Sequence, residues 1–278
     1  MILTESILLQ FKNHLLEEEK SAATIEKYMR DVLAFHRFAE GMDVDKMMVL
    51  AYKTKLTETY APASVNSVLS SLNSFFSFCE RSDLGVRMLR IQKQMFCDRE
   101  KELSKAEYGR LVEAARQKKD RRLELLMQTI CASGIRVSEV SAITVETVRQ
   151  RKAVIRCKGK MRTVFLPKAL CKMLADYTKE EKIKSGPVFI TKNGKPLDRS
   201  TIWKMMKALC KIAGVAKEKV FPHNLRHLFA RTYYSIQKDI VRLADILGHT
   251  SINTTRIYTM ETGEIHSKQI QRLGLLRI

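Results

Sequence analysis

The sequence predicts a mainly α protein with a small β-sheet or hairpin, divided into two domains. Three observations carry this prediction. The first ~97 residues space their apolar positions as buried helix faces do and contain no strand-like alternation. Two short runs rich in β-branched residues, 153–157 and 163–166, flank a basic turn that contains Gly159, which is typical of a β-hairpin. From Asp198 onward the spacing is helical again.

The N-terminal domain, residues 1–82, is predicted to be a bundle of short helices. The first helix runs from about Thr4 to Glu19, and Ser21 or Thr24 caps the second. The remaining two are expected near 45–57 and 62–80, the last beginning at Pro62. Helices of this length joined by short loops form a compact bundle.

A polar stretch without periodicity, residues 83–102, is predicted to be the interdomain linker. It is basic, with Arg87, Arg90, Lys93, Arg99 and Lys101. Two interpretations remain open for it: a segment that follows a phosphate backbone, or a solvated connector.

The C-terminal domain, residues 103–278, begins with a capping box at Ser104 and Glu107. An apolar helix from about Arg121 to Ser133 ends at Gly134, and the hairpin follows. The run 188–190 before Asn193 and Gly194 predicts another short strand and turn. Further helical segments are expected near 198–213, 222–236, 238–247 and 251–260.

Composition restricts the class of protein. The 278 residues are 45% hydrophobic with a mean hydropathy of -0.21, typical of a soluble globular protein. No apolar run approaches the ~20 residues of a membrane-spanning helix, and no signal peptide is recognisable, so we expect a cytoplasmic protein with no membrane partner. The six cysteines are scattered without zinc-ligand spacing, which favours free thiols over a metal site.

The charge distribution indicates a polyanionic partner. The net charge is +20, yet residues 1–97 carry 12 basic and 12 acidic side chains. Residues 98–278 therefore hold 38 basic and 18 acidic side chains and carry the whole excess. A one-sided excess of this kind favours nucleic acid as the partner over a general solubility charge.

The last third of the chain places basic groups and one tyrosine in an order that suits chemistry at phosphate. His223 and Arg226, at i and i+3, share one helix face; His249 follows Gly248, and Tyr258 comes nine positions later. Cleavage of a phosphodiester needs a nucleophile, a proton donor for the leaving oxygen, and fixed positive charge at the non-bridging oxygens. Tyr258 is the candidate nucleophile.

Two upstream segments supply further candidates. Arg136 follows Gly134 at a helix end and, with Arg226, is suited to binding two phosphate oxygens at once. Lys158, on the predicted hairpin turn, is a candidate general acid, because neighbouring cations lower the pKa of a lysine. Lys160 and Arg162 are predicted to contact DNA beside it. His227 is interpreted as a buried or supporting group, and Tyr233 and Tyr234 as packing residues.

With these motifs in view, the chain resembles the tyrosine recombinases, the phage-type integrases, and especially their compact Xer-like members. The resemblance rests on five segments: Gly134–Val140, Cys157–Lys160, Pro222–His227, Leu247–Ser251 and Tyr258–Thr259. The sequence around Thr24–Tyr28 is similar to the helical core-binding (SAM-like) domain of the same enzymes. Gln237 and Lys238 depart from the family pattern, where many relatives have a glycine.

The resemblance implies a mechanism and partners. Tyr258 attacks the scissile phosphate to give a 3′-phosphotyrosyl link, Arg136, Arg226, His223 and His249 bind the phosphate, and Lys158 protonates the leaving oxygen. Glu139 orients Arg136 or the nearby helix. No ATP, metal or other cofactor is expected.

The resemblance also implies a tetramer on double-stranded DNA with an inverted-repeat core site, as a homo-tetramer or with a paralogue, joined by the tail 264–278. A nucleoid-associated enzyme of DNA integration, excision or dimer resolution is expected, including one carried by a mobile element. Two alternatives remain: a type IB topoisomerase, which reseals a single duplex, and a non-catalytic DNA-binding protein on the same fold.

Overall fold

The computed structural model describes residues 1–91, 101–157, 160–259 and 271–273, with only the main chain of residues 157 and 160. The chain divides into two compact units, Met1–Lys93 and Gln94–Ile278. The structure is mainly helical with one two-stranded sheet, as the sequence predicts. Within the described residues, no helix is both long enough and apolar enough to span a membrane.

The first unit is a bundle of four helices, and each lies close to its predicted position. Their bounds are α1 (Glu5–Glu17), α2 (Ala22–Ala39), α3 (Lys46–Thr59) and α4 (Pro62–Phe78). Side chains at Thr4, Ser21 and Asp45 accept hydrogen bonds from the first turns of α1, α2 and α3, which satisfies main-chain N–H groups that have no partner within a helix. Ser21, rather than Thr24, is the cap of α2.

The segment after α4 is fixed to this bundle, although it falls within the predicted linker. Asn73 bonds both the main-chain N–H and the oxygen of Val86, at 2.9 Å each. Asn66 does the same for Leu89, at 2.7 and 2.9 Å. The first part of the predicted linker is therefore held against the bundle by α4, while Arg87 and Arg90 remain exposed, and its path along a phosphate backbone stays a prediction. Residues 92–100 of that linker lie outside the described residues.

The second unit is built around α6 and α11, with the hairpin at one side. Its helices are α5 (Lys105–Gln117), α6 (Arg121–Ser133), α7 (Val145–Gln150), α8 (Lys168–Glu180), α9 (Arg199–Lys207), α10 (Cys210–Ala213), α11 (Pro222–Gln237), α12 (Ile240–Leu247) and α13 (Ile252–Thr255). The predicted capping box at Ser104 and Glu107 is present, with bonds of 3.1 and 2.8 Å. Helices α7 and α8 were not predicted from the sequence.

The hairpin consists of β1 (Lys152–Cys157) and β2 (Lys160–Phe165) in antiparallel pairing. Alternation of side chains across the strands buries Ala153, Ile155 and Val164 and exposes the other face. Ile155 pairs with Arg162, which fixes the register near the turn. Lys158 and Gly159, the predicted turn, lie outside the described residues.

The predicted strand at 188–190 is not formed, and this prediction is wrong. The segment makes one isolated bridge, between Ile190 and Pro196, and single main-chain bonds from Val188 to Ile143 and from Leu197 to Phe189, without a ladder. Proline has no main-chain N–H, so it cannot continue a ladder opposite Ile190. The long helices predicted at 198–213 and 251–260 are also interrupted: the first divides into α9 and α10, and the second is α13 followed by a 3-10 turn, Arg256–Tyr258.

Candidate active site

Helix α11 carries three of the predicted site residues on its first two turns. It begins at Pro222, whose missing N–H costs nothing at this position. The side chain of Asn224 donates to the main-chain oxygens of Lys101 and Lys219, at 2.9 and 2.8 Å, and so fixes the start of the helix. His223, Arg226 and His227 then project from a rigid element.

Arg226 is the most enclosed of these residues, with only 1% of its side chain exposed. Its guanidinium donates to the main-chain oxygens of Gly134 at 2.6 Å and Leu247 at 2.8 Å, and lies 3.1 Å from Nε2 of His249. Burial and then Arg136 lower its pKa to about 10, so it remains a cation at neutral pH. One side chain therefore joins α11 to the ends of α6 and α12.

Gly134 makes this arrangement possible. It ends α6 in the left-handed conformation, with φ +66°, which glycine adopts without strain. A Cβ here would lie 2.5 Å from two ring carbons of Phe229. The close approach of α6 to α11 thus requires glycine, and it brings the main-chain oxygen of residue 134 within reach of Arg226.

Glu139 connects the first arginine to the hairpin. Its buried carboxylate accepts from the main-chain N–H of Arg136 at 2.7 Å and from Nη1 of Arg136 at 3.0 Å. Arg162, on β2, donates two parallel bonds to it, at 2.9 and 2.7 Å. Burial alone would raise the pKa of Glu139, but the bonds from Arg162 and Arg136 outweigh it and hold the pKa below its ordinary value.

His249 follows Gly248, where α12 ends in the left-handed conformation. Its Nδ1 lies 2.9 Å from Oγ1 of Thr255, and its Nε2 faces Arg226. Burial, followed by Arg226, lowers the pKa of His249 to about 4. The ring is therefore neutral at physiological pH, and a neutral ring whose Nδ1–H donates to Thr255 can accept from Arg226 at Nε2.

The ring of Tyr258 lies between two histidines. It stacks on His249, with 6.0 Å between ring centroids and 20° between planes, and meets His227 edge to face at 4.9 Å and 88°. His227 in turn contacts the ring of His223 at 4.5 Å. Only 4% of Tyr258 is exposed. The predicted nucleophile is thus packed directly beside the basic cluster.

The two remaining histidines are also kept neutral by their surroundings. Burial and then His223 lower the pKa of His227 to about 4. The pKa of His223 is lowered as well, first because protein atoms displace water from part of its ring and then by Arg226 and Arg136. The ring of His223 still reaches solvent, so it remains available to a ligand.

Two clefts open onto this cluster and share Arg136. One, of about 810 Å³, is lined in part by His223, Arg226, Arg199 and Trp203. The other, of about 680 Å³, is lined in part by residues of the hairpin and by His249. An anionic group in either cleft would meet the guanidinium of Arg136.

Two residues that line the first cleft were not singled out from the sequence. Arg199 and Trp203 lie at the start of α9 and in its second turn, and 46% of Trp203 is exposed. Arg199 contributes to lowering the pKa of His223. No motif marks them in the sequence; a basic residue directly after the capping Asp198 is the only local signal.

The described structure brings most of the predicted site residues into one cluster. These are Arg136, Glu139, Arg162, His223, Arg226, His227, His249 and Tyr258. Lys158 lies outside the described residues, and the same holds for the side chain of Lys160. The guanidinium of Arg162, expected to contact DNA, pairs with Glu139. Such a cluster can bind a phosphate dianion or diester beside a phenol.

Comparison with known proteins agrees with this geometry. The sequence profile of the phage integrase family matches residues 101–264, and that of the phage integrase N-terminal SAM-like domain matches residues 8–83. The chain is similar to the tyrosine recombinase XerA of Pyrococcus horikoshii, at 30% identity over 99% of this chain and 96% of the relative. It is similar to XerA of Pyrococcus furiosus at 29% identity over the same shares, and to XerD of Xanthomonas campestris at 28% over 88% and 84%.

Solved structures show the same fold. A crystal structure of XerA recombinase matches with a TM-score of 0.53 at 26% identity, over 99% of this chain and all of that one. XerH bound to its difH substrate before cleavage matches with a TM-score of 0.71 at 22% identity, over 95% and 84%. A lambda integrase tetramer on a Holliday junction matches with a TM-score of 0.74 at 18% identity, over 92% and 77%.

Proposed function

The chain belongs to the phage integrase family, and from that membership we propose that it is a site-specific DNA recombinase. In this proposal it cuts and rejoins DNA through a covalent bond between Tyr258 and a 3′-phosphate. The observation that carries the proposal is the contact of the Tyr258 ring with His249, whose Nε2 lies 3.1 Å from Arg226. A phenol placed beside an anion-binding pair has the nucleophile and the charge stabilisation that phosphodiester cleavage needs.

We assign the roles as follows. Arg136 and Arg226 bind the non-bridging oxygens of the scissile phosphate, and His223 bonds to the same group. His249 does so once the negative phosphate favours a proton on its Nε2, which in the DNA-free protein accepts from Arg226. The phenolic oxygen of Tyr258 gives its proton to a neutral histidine ring beside it and forms a bond to phosphorus, as the bond from phosphorus to the 5′-oxygen breaks. Lys158 gives its proton to that leaving oxygen. A 5′-hydroxyl of a partner strand then reverses the reaction, so the phosphodiester energy is retained in the covalent link.

The packing of Tyr258 has a consequence for substrate binding. Because only 4% of Tyr258 is exposed, we expect the turn that carries it to shift before its hydroxyl attacks a bound phosphate. That turn, Arg256–Tyr258, follows a helix of only four residues, and the shift has to break the ring contacts of Tyr258 with His227 and His249. We therefore expect DNA binding to precede and to promote exposure of the nucleophile.

The partners belong to the same proposal. The basic excess of residues 98–278 favours double-stranded DNA, whose phosphates release counterions on binding. We propose an inverted-repeat core site and a tetramer, homo-oligomeric or shared with a paralogue, in the cytoplasm at the nucleoid. The solved relatives include a lambda integrase tetramer on a Holliday junction and an integrase of the transposon Tn1549 with transposon end DNA.

The tail is the segment that we propose to join the protomers. Its apolar positions are Ile270, Leu273, Leu275 and Leu276. Of these, only Leu273 falls within the described residues, and it is exposed. Residues 1–82 are proposed as the core-binding domain and 103–278 as the catalytic domain, with 83–102 between them.

The test uses a nicked duplex whose cut strand loses a short 5′-hydroxyl fragment by diffusion, so that the covalent intermediate accumulates. The site is first selected by binding from randomised duplexes. We expect an adduct that peptide mapping assigns to Tyr258, which is lost in Tyr258→Phe and retained in Tyr233→Phe. DNA binding without any adduct would identify a non-catalytic DNA-binding protein.

A second assay separates recombination from topoisomerase activity. Two duplexes that carry the selected site, one of them labelled, are mixed with the protein. We expect joined products that contain one arm from each duplex, formed without ATP. Relaxation of supercoiled plasmids that lack the site, with no exchange of arms, would instead assign the protein as a type IB topoisomerase.

A further inference from the structure

Arg162 occupies a position that the proposed mechanism does not use. Only 11% of its side chain is exposed, and its two terminal nitrogens are both engaged by Glu139. Two parallel bonds between a guanidinium and a carboxylate fix the relative orientation of both groups. Because its partner is a carboxylate, the charge of Arg162 is neutralised within the protein, whereas Arg226, among the described residues, bonds only neutral groups and keeps its charge for a phosphate. The contribution of Arg162 is therefore sought through Glu139.

Glu139, fixed by Arg162, in turn orients Arg136. The same carboxylate accepts from both the main chain and the side chain of Arg136. Arg136 is partly exposed, with 32% of its side chain open to solvent, and its only described ion pair is with Glu139. Without a fixed carboxylate, the guanidinium of Arg136 would sample several rotamers and lose its alignment with a bound phosphate.

The aliphatic part of Arg162 contacts a second element of the site. A Cβ at Gly248 would lie 2.7 Å from Cδ of Arg162, so that stem passes directly against the backbone that precedes His249. Arg162 also contributes to lowering the pKa of His249. One side chain of β2 thus touches both the segment that carries Arg136 and the turn that carries His249.

We propose that Arg162 is a positioning residue for cleavage, and that it acts by fixing Glu139 and thereby the guanidinium of Arg136 on the scissile phosphate. The inference rests on the proposed function and deepens it. It replaces the expectation that Arg162 contacts DNA. Strand β2, through Arg162, then helps Arg136 to stabilise the negative charge on the non-bridging oxygens.

The main test compares Arg162→Gln with the wild-type chain in single-turnover cleavage at saturating DNA. We expect cleavage of the ordinary phosphodiester to slow by about 100-fold, the cost of a misplaced catalytic group, while the Kd for DNA changes no more than in Arg156→Gln. Arg156 is the matched control, because it is an exposed arginine of the same hairpin. A larger loss of DNA affinity in Arg162→Gln than in Arg156→Gln would make Arg162 a DNA contact and overturn the proposal.

Substrate chemistry identifies the route. A methylphosphonate at the scissile position replaces one charged oxygen by a methyl group, so less positive charge is needed in the transition state. With this substrate we expect the gap between Arg162→Gln and wild type to shrink to about 10-fold, because the misplaced Arg136 matters less. A 5′-bridging phosphorothiolate, whose thiolate leaves without a proton, should leave the gap unchanged. If Arg162→Gln and wild type cleave the phosphorothiolate at the same rate, Arg162 acts through the lysine of the hairpin turn, and the proposal is overturned.

A second variant tests whether slow cleavage by Arg162→Gln results from misfolding. Arg162→Gln leaves the buried carboxylate of Glu139 with one cationic partner, whereas Glu139→Gln with Arg162→Gln removes both charges. We expect this double variant to retain the folded fluorescence of Trp203 and to cleave as slowly as the single one. If wild type forms no adduct, the proposed function fails. If wild type and Arg162→Gln cleave at the same rate, only the present inference fails.

Discussion

Arg226 and Gly134 are joined by a hydrogen bond of 2.6 Å from Nη1 to the main-chain oxygen. The bond runs between α11 and the end of α6, which are separated by 92 positions in the sequence. A residue proposed to bind the scissile phosphate therefore also holds two core helices together. Its loss should affect stability and activity, and these can be separated.

Arg226→Lys should destabilise the second unit more than Arg136→Lys. Lysine has one terminal nitrogen in place of Nη1 and Nη2, so it does not reproduce the bonds to both Gly134 and Leu247, and a buried oxygen left without a donor costs about 2 kcal/mol. Arg136 is partly exposed, so its substitution should cost about 0.5 kcal/mol. Urea unfolding followed by the fluorescence of Trp203, the single tryptophan, measures both. Equal losses of stability would contradict the anchoring role of Arg226.

Gly134→Ala should destabilise far more than Gly214→Ala. Both glycines end a helix with positive φ, at +66° and +58°, so both variants carry the strain of a left-handed alanine, about 1 kcal/mol. Only residue 134 has a neighbour, Phe229, at 2.5 Å, and this overpacking should raise its total to about 3 kcal/mol. The same unfolding measurement applies, and a difference near zero would mean that Phe229 moves aside freely.

Acid should destabilise the second unit through its neutral histidines. Burial lowers the pKa of His227 and His249 to about 4, whereas in the unfolded chain both titrate near the ordinary value of 6.5. Between these values the unfolded state binds more protons, so stability is complete above pH 6.5 and falls as the pH drops toward about 4.

His227→Phe isolates this effect from the titration of carboxylates. Phenylalanine keeps a ring against Tyr258 but cannot bind a proton. The melting temperature of the variant, followed by Trp203 fluorescence, should therefore decrease less steeply than that of the wild type from pH 6.5 to 4.5. Parallel curves for the two proteins would show that His227 titrates normally in the folded state.

Lys158→Ala should slow cleavage of the ordinary substrate and be rescued by a 5′-bridging phosphorothiolate. The alcohol leaving group needs a proton from the general acid, whereas a thiol ionises at a pKa of about 8.5 and departs unaided. Lys160→Ala is the matched control and should show neither the large defect nor the rescue. Rescue of Lys160→Ala instead of Lys158→Ala would exchange their roles. Adduct yield on denaturing gels gives the rates.

Local signals in the sequence were sufficient for much of the fold. The capping box at Ser104, the glycine that ends α6 and the two strand-like runs of the hairpin each depend on neighbouring residues, and each prediction is confirmed. Helix α7 has only six residues and little periodicity to detect. The strand predicted at 188–190 failed because the partner that tertiary structure supplies is Pro196.

The sequence predicted most residues of the cluster but not the contacts between them. The order of His223, Arg226, His249 and Tyr258 marks the chemistry in the sequence itself. The pairing of Glu139 with Arg162 spans 23 positions and depends on how the hairpin packs, so no local pattern reports it. For the same reason Arg162 was predicted to contact DNA and Trp203 was not singled out.

The anchoring of Arg226 also bears on how freely this sequence can diverge. Its two strongest partners are main-chain oxygens, of Gly134 and Leu247, and every residue type has such an oxygen. Substitutions at position 247 that preserve the helix end would leave the bond to Arg226 in place. The path of the backbone thus fixes the position of Arg226. Most of the side chains around it can therefore be substituted without displacing its guanidinium.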